Sequence, residues 1–389
     1  MGRTALLHSA VTERVPGGSS NVLYGRLADL RNRLLASARF RSWVARIPGL
    51  RGIARRQARG VFDLCAGFVY TQVLYSCVRL GLFERLLDGP VGAAELARGS
   101  GMALGPMVQL LEGARALGLI EARGEAAYAL GARGAVIAGN PAVTAMIEHH
   151  ALLYRDLSDP LALLRGELDT TELERYWAYA RAPQPGALPA AQVAAYSSLM
   201  SASQPLIADE VLAAYGFRGK RCLLDVGGGE GAFVAAVAAR HPDLEFMLFD
   251  LPAVAERARA HLAEAGLDDR VAVHAGDFHC EALPLGADVV SLVRVIHDHD
   301  DAEALALLCA VRRCLPPGGT LLLAEPMAGA AGAEPVGAAY FAFYLMAMRS
   351  GRPRTAAELG SLLQAADFRG YRVHETALPL QTSLIVAEV

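Results

Sequence analysis

Lysine is almost missing from this sequence of 389 residues, because Lys220 is the only one among 37 basic residues. The formal net charge is −3 and only 20% of the residues are charged, so bulk charge does not indicate a nucleic-acid-binding protein. No two of the six cysteines have the C-x-x-C spacing. We therefore expect free thiols in a reducing compartment.

Long uninterrupted apolar runs are also missing. Residues 1–20 lack the apolar core of a signal peptide, which leads us to expect a cytoplasmic protein. The longest apolar stretch, Val61–Phe83, contains Asp63, Gln72 and Arg79. These polar side chains are costly inside a bilayer, so we expect a helix that is buried or lies in a dimer interface.

Residues 22–59 form an arginine-rich segment in which apolar side chains are interleaved with the charges. Pro48-Gly49 predicts a break into two helices. Two interpretations stay open: a solvated helix face, or a basic amphipathic surface that touches an anionic membrane. The arginines are Arg26, Arg31, Arg33, Arg39, Arg41, Arg46, Arg51, Arg55, Arg56 and Arg59, and the apolar residues include Leu34, Leu35, Phe40, Trp43, Val44 and Ile47.

The segment Val91–Leu130 has the pattern of a winged helix, with two helices followed by two short strands around a glycine turn. This makes DNA binding one function hypothesis. The recognition helix would be Gly105–Leu117, and its polar groups are only Gln109, Glu112 and Arg115. Such a helix is poorly suited to phosphate or base contacts, so the sequence argues against DNA binding.

The C-terminal part alternates strands and helices and predicts a doubly wound α/β sheet. It follows a helical stretch over residues 135–215 that is broken at Pro183–Pro189. The predicted strands are Cys222–Val226, Glu245–Phe249, Val271–His274, Asp288–Leu292 and Thr320–Ala324, the helices between them are Gly231–Arg240, Val254–Ala265 and Asp301–Leu315, and Tyr371–Glu375 with Ser383–Ala387 form a late antiparallel pair.

A glycine-rich turn follows the first of these strands, in residues 223–231, LLDVGGGEG. Glycine lets bare backbone approach a ligand, and the helix that follows points free N–H groups at it. Asp250 ends the second strand, 21 residues after Gly229, where a carboxylate accepts hydrogen bonds from both hydroxyls of a ribose. Both NAD and S-adenosylmethionine carry such a ribose, so these residues alone leave the nucleotide undecided.

Residues after the third strand favour S-adenosylmethionine. Asp277 and Phe278 there suit an adenine amino group and its ring face. Asp225, just before the glycines, would take the ammonium of a methionine moiety or orient the loop, and a nicotinamide enzyme has no use for that second charge. A turn cap remains the alternative interpretation of Asp277.

His297 and Glu325 end neighbouring strands and are the predicted catalytic pair. A neutral histidine is the usual general base, and a carboxylate at Nδ1 would set its tautomer and basicity. A capped loop histidine and a simple loop acid are the structural alternatives. Although His299 and Asp298 lie close by, no third ligand at metal spacing follows, so we predict no metal site.

Five motifs together resemble the S-adenosylmethionine-dependent O-methyltransferases of the caffeate and acetylserotonin type: LLDVGGGEGAF, FDLP, GDF, RVIHDHDD and LPPGGTLLLAEP. The resemblance implies a winged-helix dimerisation domain, a homodimer, a sheet with a seventh antiparallel strand, and His297 as the base. The positions that match the cofactor contacts of the family are Asp225, Gly227, Gly229, Asp250, Leu251, Asp277 and Phe278, and Arg294 stands where the family often has a lysine.

Two positions depart from the family pattern. His299 replaces the aromatic residue that usually follows His-Asp, and Pro353 stands where the plant enzymes have a second glutamate that supports the histidine. We therefore expect Glu325 alone to brace His297. This expectation argues against acidic plant phenols as methyl acceptors.

Residues 39–84, RFRSWVARIPGLRGIARRQARGVFDLCAGFVYTQVLYSCVRLGLFE, resemble the hydroxyneurosporene (demethylspheroidene) O-methyltransferases of purple photosynthetic bacteria. That resemblance implies methylation of the C-1 tertiary hydroxyl of acyclic carotenoids, in spheroidene or spirilloxanthin biosynthesis, with peripheral contact to the inner or photosynthetic membrane as an option. Acceptors such as a polyketide, a phenol or a bacteriochlorophyllide remain alternatives within the family. A nicotinamide oxidoreductase and a DNA-binding regulator remain alternatives outside it.

Four regions follow from these patterns. They are a basic helical arm at residues 1–60, a winged-helix dimerisation domain at 61–135, a helical connector that lines the substrate pocket at 136–215, and the S-adenosylmethionine-binding methyltransferase domain at 216–389. Candidate walls of a polyene tunnel are Met200, Tyr340, Phe341, Phe343, Tyr344, Met346 and Met348, for which plain core packing is the alternative.

Overall fold

A computed structural model describes residues 19–389, with side chains from Tyr24 onward, and the chain divides into two units, one ending at Leu74 and one spanning Tyr75–Val389. The first unit is helical: α1 spans Ser19–Ala36, α2 spans Ala38–Arg46, and α3 starts at Arg51 and ends at Arg79. The turn at Pro48-Gly49 is confirmed, but the prediction of only two helices was wrong. Ser37 adds a second break, because its side chain caps α2 by accepting from the Phe40 amide.

Helix α3 is the one helix among the described residues with the length and composition of a membrane span. Its apolar side chains are largely exposed in the single chain, including Phe62, Leu64 and Phe68. Of the two places expected for this helix, burial within its own chain does not hold, and a dimer interface remains a prediction. Only Cys77 and Val78, near its end, are buried.

The second unit begins with the predicted winged helix. Its elements are α4 (Leu82–Arg85), β1 (Val91–Gly92), α5 (Ala93–Gly99), α6 (Leu104–Ala116), β2 (Ile120–Arg123) and β3 (Ala127–Leu130). The three strands form an antiparallel sheet in the order β1-β3-β2. In α6, Glu112 accepts hydrogen bonds from Arg115 and Tyr128, so its few polar groups already bind one another.

A helical region connects this part to the large sheet. It contains α7 (Ala132–Ala138), α8 (Pro141–Asp156), α9 (Pro160–Arg165), α10 (Glu172–Tyr176) and α11 (Ala190–Ala214), with short 3-10 turns at Ala178–Ala180 and Pro185–Ala187. Side chains of Asn140, Asp159 and Thr171 cap the N-termini of α8, α9 and α10. These caps satisfy amide groups that a helix start otherwise leaves without partners.

The large sheet has seven strands in the order β6-β5-β4-β7-β8-β10-β9, and all pairs are parallel except those made by β10. Its strands are β4 (Cys222–Val226), β5 (Glu245–Asp250), β6 (Val271–Ala275), β7 (Val289–Val293), β8 (Thr320–Glu325), β9 (Gly370–His374) and β10 (Ser383–Glu388), and its helices are α12 (Ala232–Arg240), α13 (Pro252–Glu264), α14 (Asp301–Cys314), α15 (Ala342–Met348) and α16 (Ala356–Ala365). The predicted doubly wound sheet and its antiparallel strand are confirmed.

The chain order reverses between β4 and β7, which creates a crevice at the carboxyl ends of these strands. Both faces of the sheet are covered by helices, so the strands are almost wholly apolar, as in β7 and β8 where every residue is buried. Polar side chains therefore gather where the strands end. The candidate site lies at this edge.

Candidate active site

The glycine turn after β4 is shaped by close contacts that leave no room for side chains. Gly227 has a φ of +69°, and a Cβ there would lie 2.8 Å from Val295 Cγ2. A Cβ on Gly228 would lie 2.8 Å from Asp225 Oδ2. The Gly227 amide donates to the Phe249 carbonyl, which fixes the turn against β5. Bare backbone is thus presented to the crevice beside β4.

Asp225 lies beneath this turn and is only 1% exposed. Its Oδ1 accepts a hydrogen bond of 2.6 Å from Ser291 Oγ, whereas Oδ2 has no partner among the described residues. Burial raises the pKa of this carboxyl to about 7, against the effect of the Ser291 hydrogen bond. An unsatisfied buried carboxylate oxygen is costly, so it favours a positively charged group at this end of the crevice.

Asp250 ends β5 and holds the other side of the turn. Its Oδ2 accepts from the Gly229 amide at 2.8 Å and its Oδ1 accepts from the Leu251 amide at 2.7 Å. Burial raises its pKa to about 6, although both hydrogen bonds oppose the rise. Each oxygen keeps acceptor capacity, which suits a diol that donates two hydrogen bonds.

Asp277 and Phe278 follow β6 at the far end of the same crevice. Asp277 Oδ1 accepts from the His279 amide at 2.9 Å and lies 2.7 Å from His279 Nδ1. Asp277 therefore makes the turn contact that the alternative interpretation anticipated, and it also lines the cleft. Phe278 presents an aromatic ring there, against the ring of His299.

Apart from Asp225, which is buried and not part of the wall, these residues line an open cleft of about 930 Å³. Its walls include Gly227, Gly229, Asp250, Leu251, Asp277, Phe278, Arg294 and Met200, all predicted from the sequence, and also Trp177, Tyr179 and Pro185 from the segment between α10 and α11. The sequence contained no signal for these last three residues. Their positions are set by long-range packing, far along the chain from the glycine turn.

His297 and Glu325 meet as the strand order predicts. His297 lies in a 3-10 turn, Ile296–Asp298, after β7, and Glu325 ends the adjacent strand β8. Glu325 Oε2 hydrogen-bonds His297 Nδ1, while Oε1 accepts from the amides of Val295 and Ile296. The carboxylate therefore holds both the imidazole and the loop that carries it.

A second carboxylate also contacts His297, so the expectation that Glu325 alone braces it was wrong. Asp298 Oδ1 lies 3.2 Å from His297 Nε2, and Tyr179 donates a hydrogen bond of 2.6 Å to Asp298 Oδ2. Burial would lower the pKa of His297, but the negative charges of Asp298 and Glu325 outweigh burial and raise it. Asp298 lines the cleft here, whereas His297 is not among the residues of the cleft wall.

The loop that carries His297 is supported from outside by residues 350–354. Arg354 is 2% exposed and donates to the carbonyls of Ile296 and His299. Gly351 has a φ of +74°, and a Cβ there would lie 2.0 Å from the His297 carbonyl oxygen. The sequence departure at Pro353 thus falls in a segment that shapes the backbone of the loop.

Arg294 follows β7 with a φ of +58° and points toward helix α11. Its guanidinium donates to Ser203 Oγ at 2.8 Å, to the Met200 carbonyl and to Gln204 Oε1. Burial lowers its pKa to about 10. Arg294 therefore lines the cleft while its side chain is held by α11.

The predicted substrate walls divide into two groups. Met200 lines the cleft, and Phe341 packs with its ring centroid 5.7 Å from that of His297. Tyr344 and Met348 are buried in the helical core, where the Tyr344 hydroxyl hydrogen-bonds His149 Nε2 and accepts from the Trp177 indole N–H. Neither residue is part of the cleft wall, and their contact with a substrate remains a prediction.

Three potential metal-ligating residues lie close together in space, although their spacing in the sequence did not indicate a metal site. One donor atom from each of His279, His299 and Glu303 lies within 4.8 Å of the other two. The sequence argument missed His279 because it follows a different strand. The prediction of no metal remains a prediction.

Comparison with known proteins matches this architecture. The O-methyltransferase domain profile covers residues 180–369, and the O-methyltransferase dimerisation domain profile covers residues 62–138. The chain is 44% identical to the demethylspheroidene O-methyltransferase of Cereibacter sphaeroides, over 93% of this chain and 95% of that protein. It is 38% identical to the protein of the same name from Rhodobacter capsulatus, over 96% and 93%.

Solved structures agree. The mitomycin 7-O-methyltransferase MmcR superposes with a TM-score of 0.71 at 25% identity, covering 87% of this chain and all of that one. Human N-acetylserotonin methyltransferase, at 23% identity, shares the fold with a TM-score of 0.72 over 85% of this chain and 97% of that one. The dimerisation domain supports a homodimer. With its cleft, its His–Glu pair and these relatives, the chain belongs to the family of S-adenosylmethionine-dependent O-methyltransferases.

Proposed function

We propose that this enzyme methylates the C-1 tertiary hydroxyl of an acyclic carotenoid of the demethylspheroidene or hydroxyneurosporene type. The observation that carries the proposal is the 44% identity to a demethylspheroidene O-methyltransferase over 93% of the chain. That similarity extends well beyond the two family domains, which match residues 62–138 and 180–369. Relatives named for acetylserotonin are less similar, at 33% identity over 83% of the chain.

The residues of the cleft fit S-adenosylmethionine. Asp225 Oδ2 is an orphaned acceptor for the ammonium of the methionine moiety, and Asp250 keeps acceptor capacity for the ribose hydroxyls. Gly227 and Gly229 bring backbone to the cofactor, with Leu251 beside it, while Asp277 and Phe278 would hold the adenine. When bound, the cofactor supplies an electrophilic methyl group on a sulfonium. Arg294 is proposed to act indirectly on the cofactor site, because its hydrogen bonds to α11 hold that helix beside the cleft.

His297 is proposed as the base that takes the hydroxyl proton at Nε2. Glu325 holds the opposite ring nitrogen, which leaves Nε2 as the proton acceptor and stabilises the imidazolium that forms. The Asp298 carboxylate faces Nε2 in this structure, so the acceptor hydroxyl must replace that carboxylate beside Nε2. The raised pKa of His297 makes its neutral form a stronger base, which suits an alcohol better than an acidic phenol.

A tertiary alcohol remains far less acidic than any histidine, so proton removal must accompany methyl transfer. Positioning and exclusion of water then contribute much of the rate. Trp177 and Tyr179 wall the cleft on the side of Asp298 and would exclude water there. Met200 and Phe341 are the proposed apolar contacts of the acceptor near the reacting oxygen.

The test is methyl transfer from labelled S-adenosylmethionine to purified acceptors. We expect label in a hydroxylated acyclic carotenoid and none in a catechol or in acetylserotonin, presented at equal concentrations in the same detergent. Label in the phenolic acceptors but not in the carotenoid would contradict the acceptor assignment and leave the family intact. NAD binding that displaces S-adenosylhomocysteine in calorimetry would contradict the cofactor assignment.

We also propose that the homodimer is a cytoplasmic enzyme that meets this acceptor at a membrane surface, as a peripheral protein. A long apolar polyene partitions into lipid and not into water. An enzyme that works on it gains from contact with the surface in which the substrate is dissolved. Residues before the dimerisation domain have the composition for such a contact.

A further inference from the structure

The segment that we call the basic arm comprises residues 19–60, which form α1, α2 and the start of α3. It contains ten arginines and a single acid, Asp29, for a net charge of +9. Because the whole chain carries −3, all the other residues together carry −12. Positive charge is thus concentrated in about a tenth of an otherwise acidic protein.

We propose that the basic arm is a docking surface for anionic lipid headgroups, with its apolar side chains entering the headgroup boundary. This inference extends the membrane-surface location proposed above and does not depend on which acceptor is methylated. It identifies the part of the chain and the lipid chemistry that would produce that location.

The arginines of the arm lack counter-charges. Among the residues that the structure describes, only Arg59 has a carboxylate within 4 Å, that of Asp63 on the next turn. Arg41 is a structural exception, since it donates to the carbonyls of Leu35 and Ala36 and so ties α2 to the end of α1. Arg31 donates to Asn32 Oδ1 and Arg51 donates to the Ala45 carbonyl. The remaining six guanidiniums have no hydrogen-bond partner within the described residues and are available to phosphate groups, which arginine binds through paired donors.

Helix α1 separates its apolar and polar residues only in part, because Arg31 lies among the apolar side chains. Tyr24, Leu27, Leu30 and Leu34 recur at intervals of three and four residues, which places them on one side of the helix, while Arg26, Asp29 and Arg33 lie on the other. Leu27 and Leu30 are each 55% exposed. Side chains of this size are not left in water on an isolated helix without another role.

Helix α2 repeats the arrangement in a shorter form. Phe40, Trp43, Val44 and Ile47 share one face, and Trp43 is 58% exposed. Arginines 39 and 46 flank this face. Basic residues beside a face of tryptophan, phenylalanine and leucine are the composition of helices that lie in the plane of a membrane interface.

A second copy of the chain is the competing occupant, because the remaining residues are acidic. Two observations favour lipid. The dimerisation domain profile begins at residue 62, after the arm. The arginines are spread over all three helices among the apolar residues, whereas the core of a protein interface is depleted of charge.

The experiment uses the full-length enzyme with two matched variants that each lose four arginines. The test variant is Arg39→Gln, Arg46→Gln, Arg55→Gln and Arg56→Gln. The control variant is Arg98→Gln, Arg218→Gln, Arg313→Gln and Arg372→Gln, all exposed and outside both the arm and the cleft. Co-sedimentation is measured with vesicles of phosphatidylcholine alone and of phosphatidylcholine mixed with phosphatidylglycerol.

We expect binding to the anionic vesicles only, weakened by salt, and lowered about a hundredfold or more in the test variant, because each basic residue near such a surface contributes about fivefold. The control variant should bind like the wild type. A separate variant, Trp43→Ser, should also bind the anionic vesicles more weakly than the wild type, with the same salt dependence of binding as the wild type. Circular dichroism and light scattering confirm that each variant is folded and dimeric.

Three results would overturn the inference. The first is equal binding of the enzyme to neutral and anionic vesicles. The second is a test variant that binds anionic vesicles as tightly as the wild type does. The third is a wild type that does not bind vesicles together with a test variant that dissociates into monomers. The last result would assign the arm to the partner subunit. Methyl transfer to detergent-dispersed carotenoid is measured in parallel, so that failure of the acceptor assignment is visible separately from failure of lipid binding.

Discussion

Charge is handled in opposite ways at the catalytic loop and in the basic arm. At the loop, His297 lies between the carboxylates of Glu325 and Asp298, all three largely buried; Glu325 hydrogen-bonds Nδ1, and Asp298 Oδ1 lies 3.2 Å from Nε2. In the arm, arginines are exposed and nearly all lack a carboxylate partner within the described residues. The buried group depends on geometry, whereas the exposed group depends on the sum of many weak charges.

The two regions should therefore respond differently to change. A buried ion pair is screened little by salt, and loss of one partner leaves the other uncompensated. Exposed charges are screened over a Debye length of about 8–10 Å, and their losses add up gradually. Single substitutions should be severe at the loop and mild in the arm.

The largest expected effect is that of His297→Ala. Loss of a general base should lower kcat by about 10²–10⁴-fold, while the affinity for S-adenosylhomocysteine stays that of the wild type, because the imidazole is not part of the cleft wall. Steady-state kinetics and calorimetry measure the two quantities. A loss smaller than about tenfold, with cofactor affinity intact, would show that positioning alone drives the reaction.

Asp250→Ala should lower the affinity for the cofactor and leave the action of His297 as a base unchanged. Removal of charge-assisted hydrogen bonds to the ribose hydroxyls should weaken cofactor binding by about 1–3 kcal/mol, measured by calorimetry. Part of this loss would come from the glycine turn, since Asp250 also accepts from the Gly229 amide. Asp250→Asn is the control, because an amide keeps an acceptor for one of the two bonds. Unchanged binding in both variants would remove Asp250 from the cofactor site.

The variants Glu325→Gln and Asp298→Asn test the role of the two carboxylates through the pH dependence of kcat. The neutral form of His297 is the base, so the rate should rise with pH as the imidazolium loses its proton. The carboxylates raise its pKa, and removing either charge should move this acid limb to lower pH. We expect Glu325→Gln to lower kcat by about tenfold, less than His297→Ala, because it orients the base and does not accept the substrate proton.

The pH profile separates these roles from simple damage to the fold. A structural loss would lower the rate at every pH and leave the limb in place. Tyr179→Phe serves as a control, since it removes the hydrogen bond to Asp298 and leaves both carboxylates charged. A limb that does not move in either carboxylate variant would contradict the assignment of His297 as the titrating base.

The smallest expected change in the rate of methyl transfer is the one caused by salt. With carotenoid dispersed in neutral detergent, moderate salt should change methyl transfer by less than about twofold, because the buried pair is hardly screened. With carotenoid in anionic vesicles, the same salt should slow the reaction strongly. Equal salt dependence in both preparations would contradict the contrast between the two regions.

The central strands of the large sheet were predictable because their residues are nearly all apolar. Helices α12, α13 and α14 were predictable because apolar residues recur at helical spacing between those strands. The meeting of His297 and Glu325 was also predictable, since parallel strands that are neighbours end at the same edge. Asp298 illustrates the limit. It follows His297 directly in the sequence, but only the turn of the loop directs its carboxylate toward Nε2 of that residue.

The segment between α10 and α11 and residues 350–354 could not be found from spacing. Tyr179 reaches Asp298 across 119 positions, and Arg354 reaches Ile296 across 58. Contacts of this kind depend on how helices pack on the sheet, and no local periodicity records them. For the same reason, the sequence could not show that Tyr344 and Met348 pack in the helical core.

The sequence by itself determined the doubly wound sheet, the glycine turn, the acids at the strand ends and the excess of arginine in the arm, because each follows from local residue chemistry and from the rules of strand order. Tertiary structure alone decided which apolar residues line space and which fill the core, and that two carboxylates hold His297. It also decided that α3 leaves its apolar side chains exposed in the single chain. These properties arise from packing between distant segments, where burial and distance set the energy of each contact.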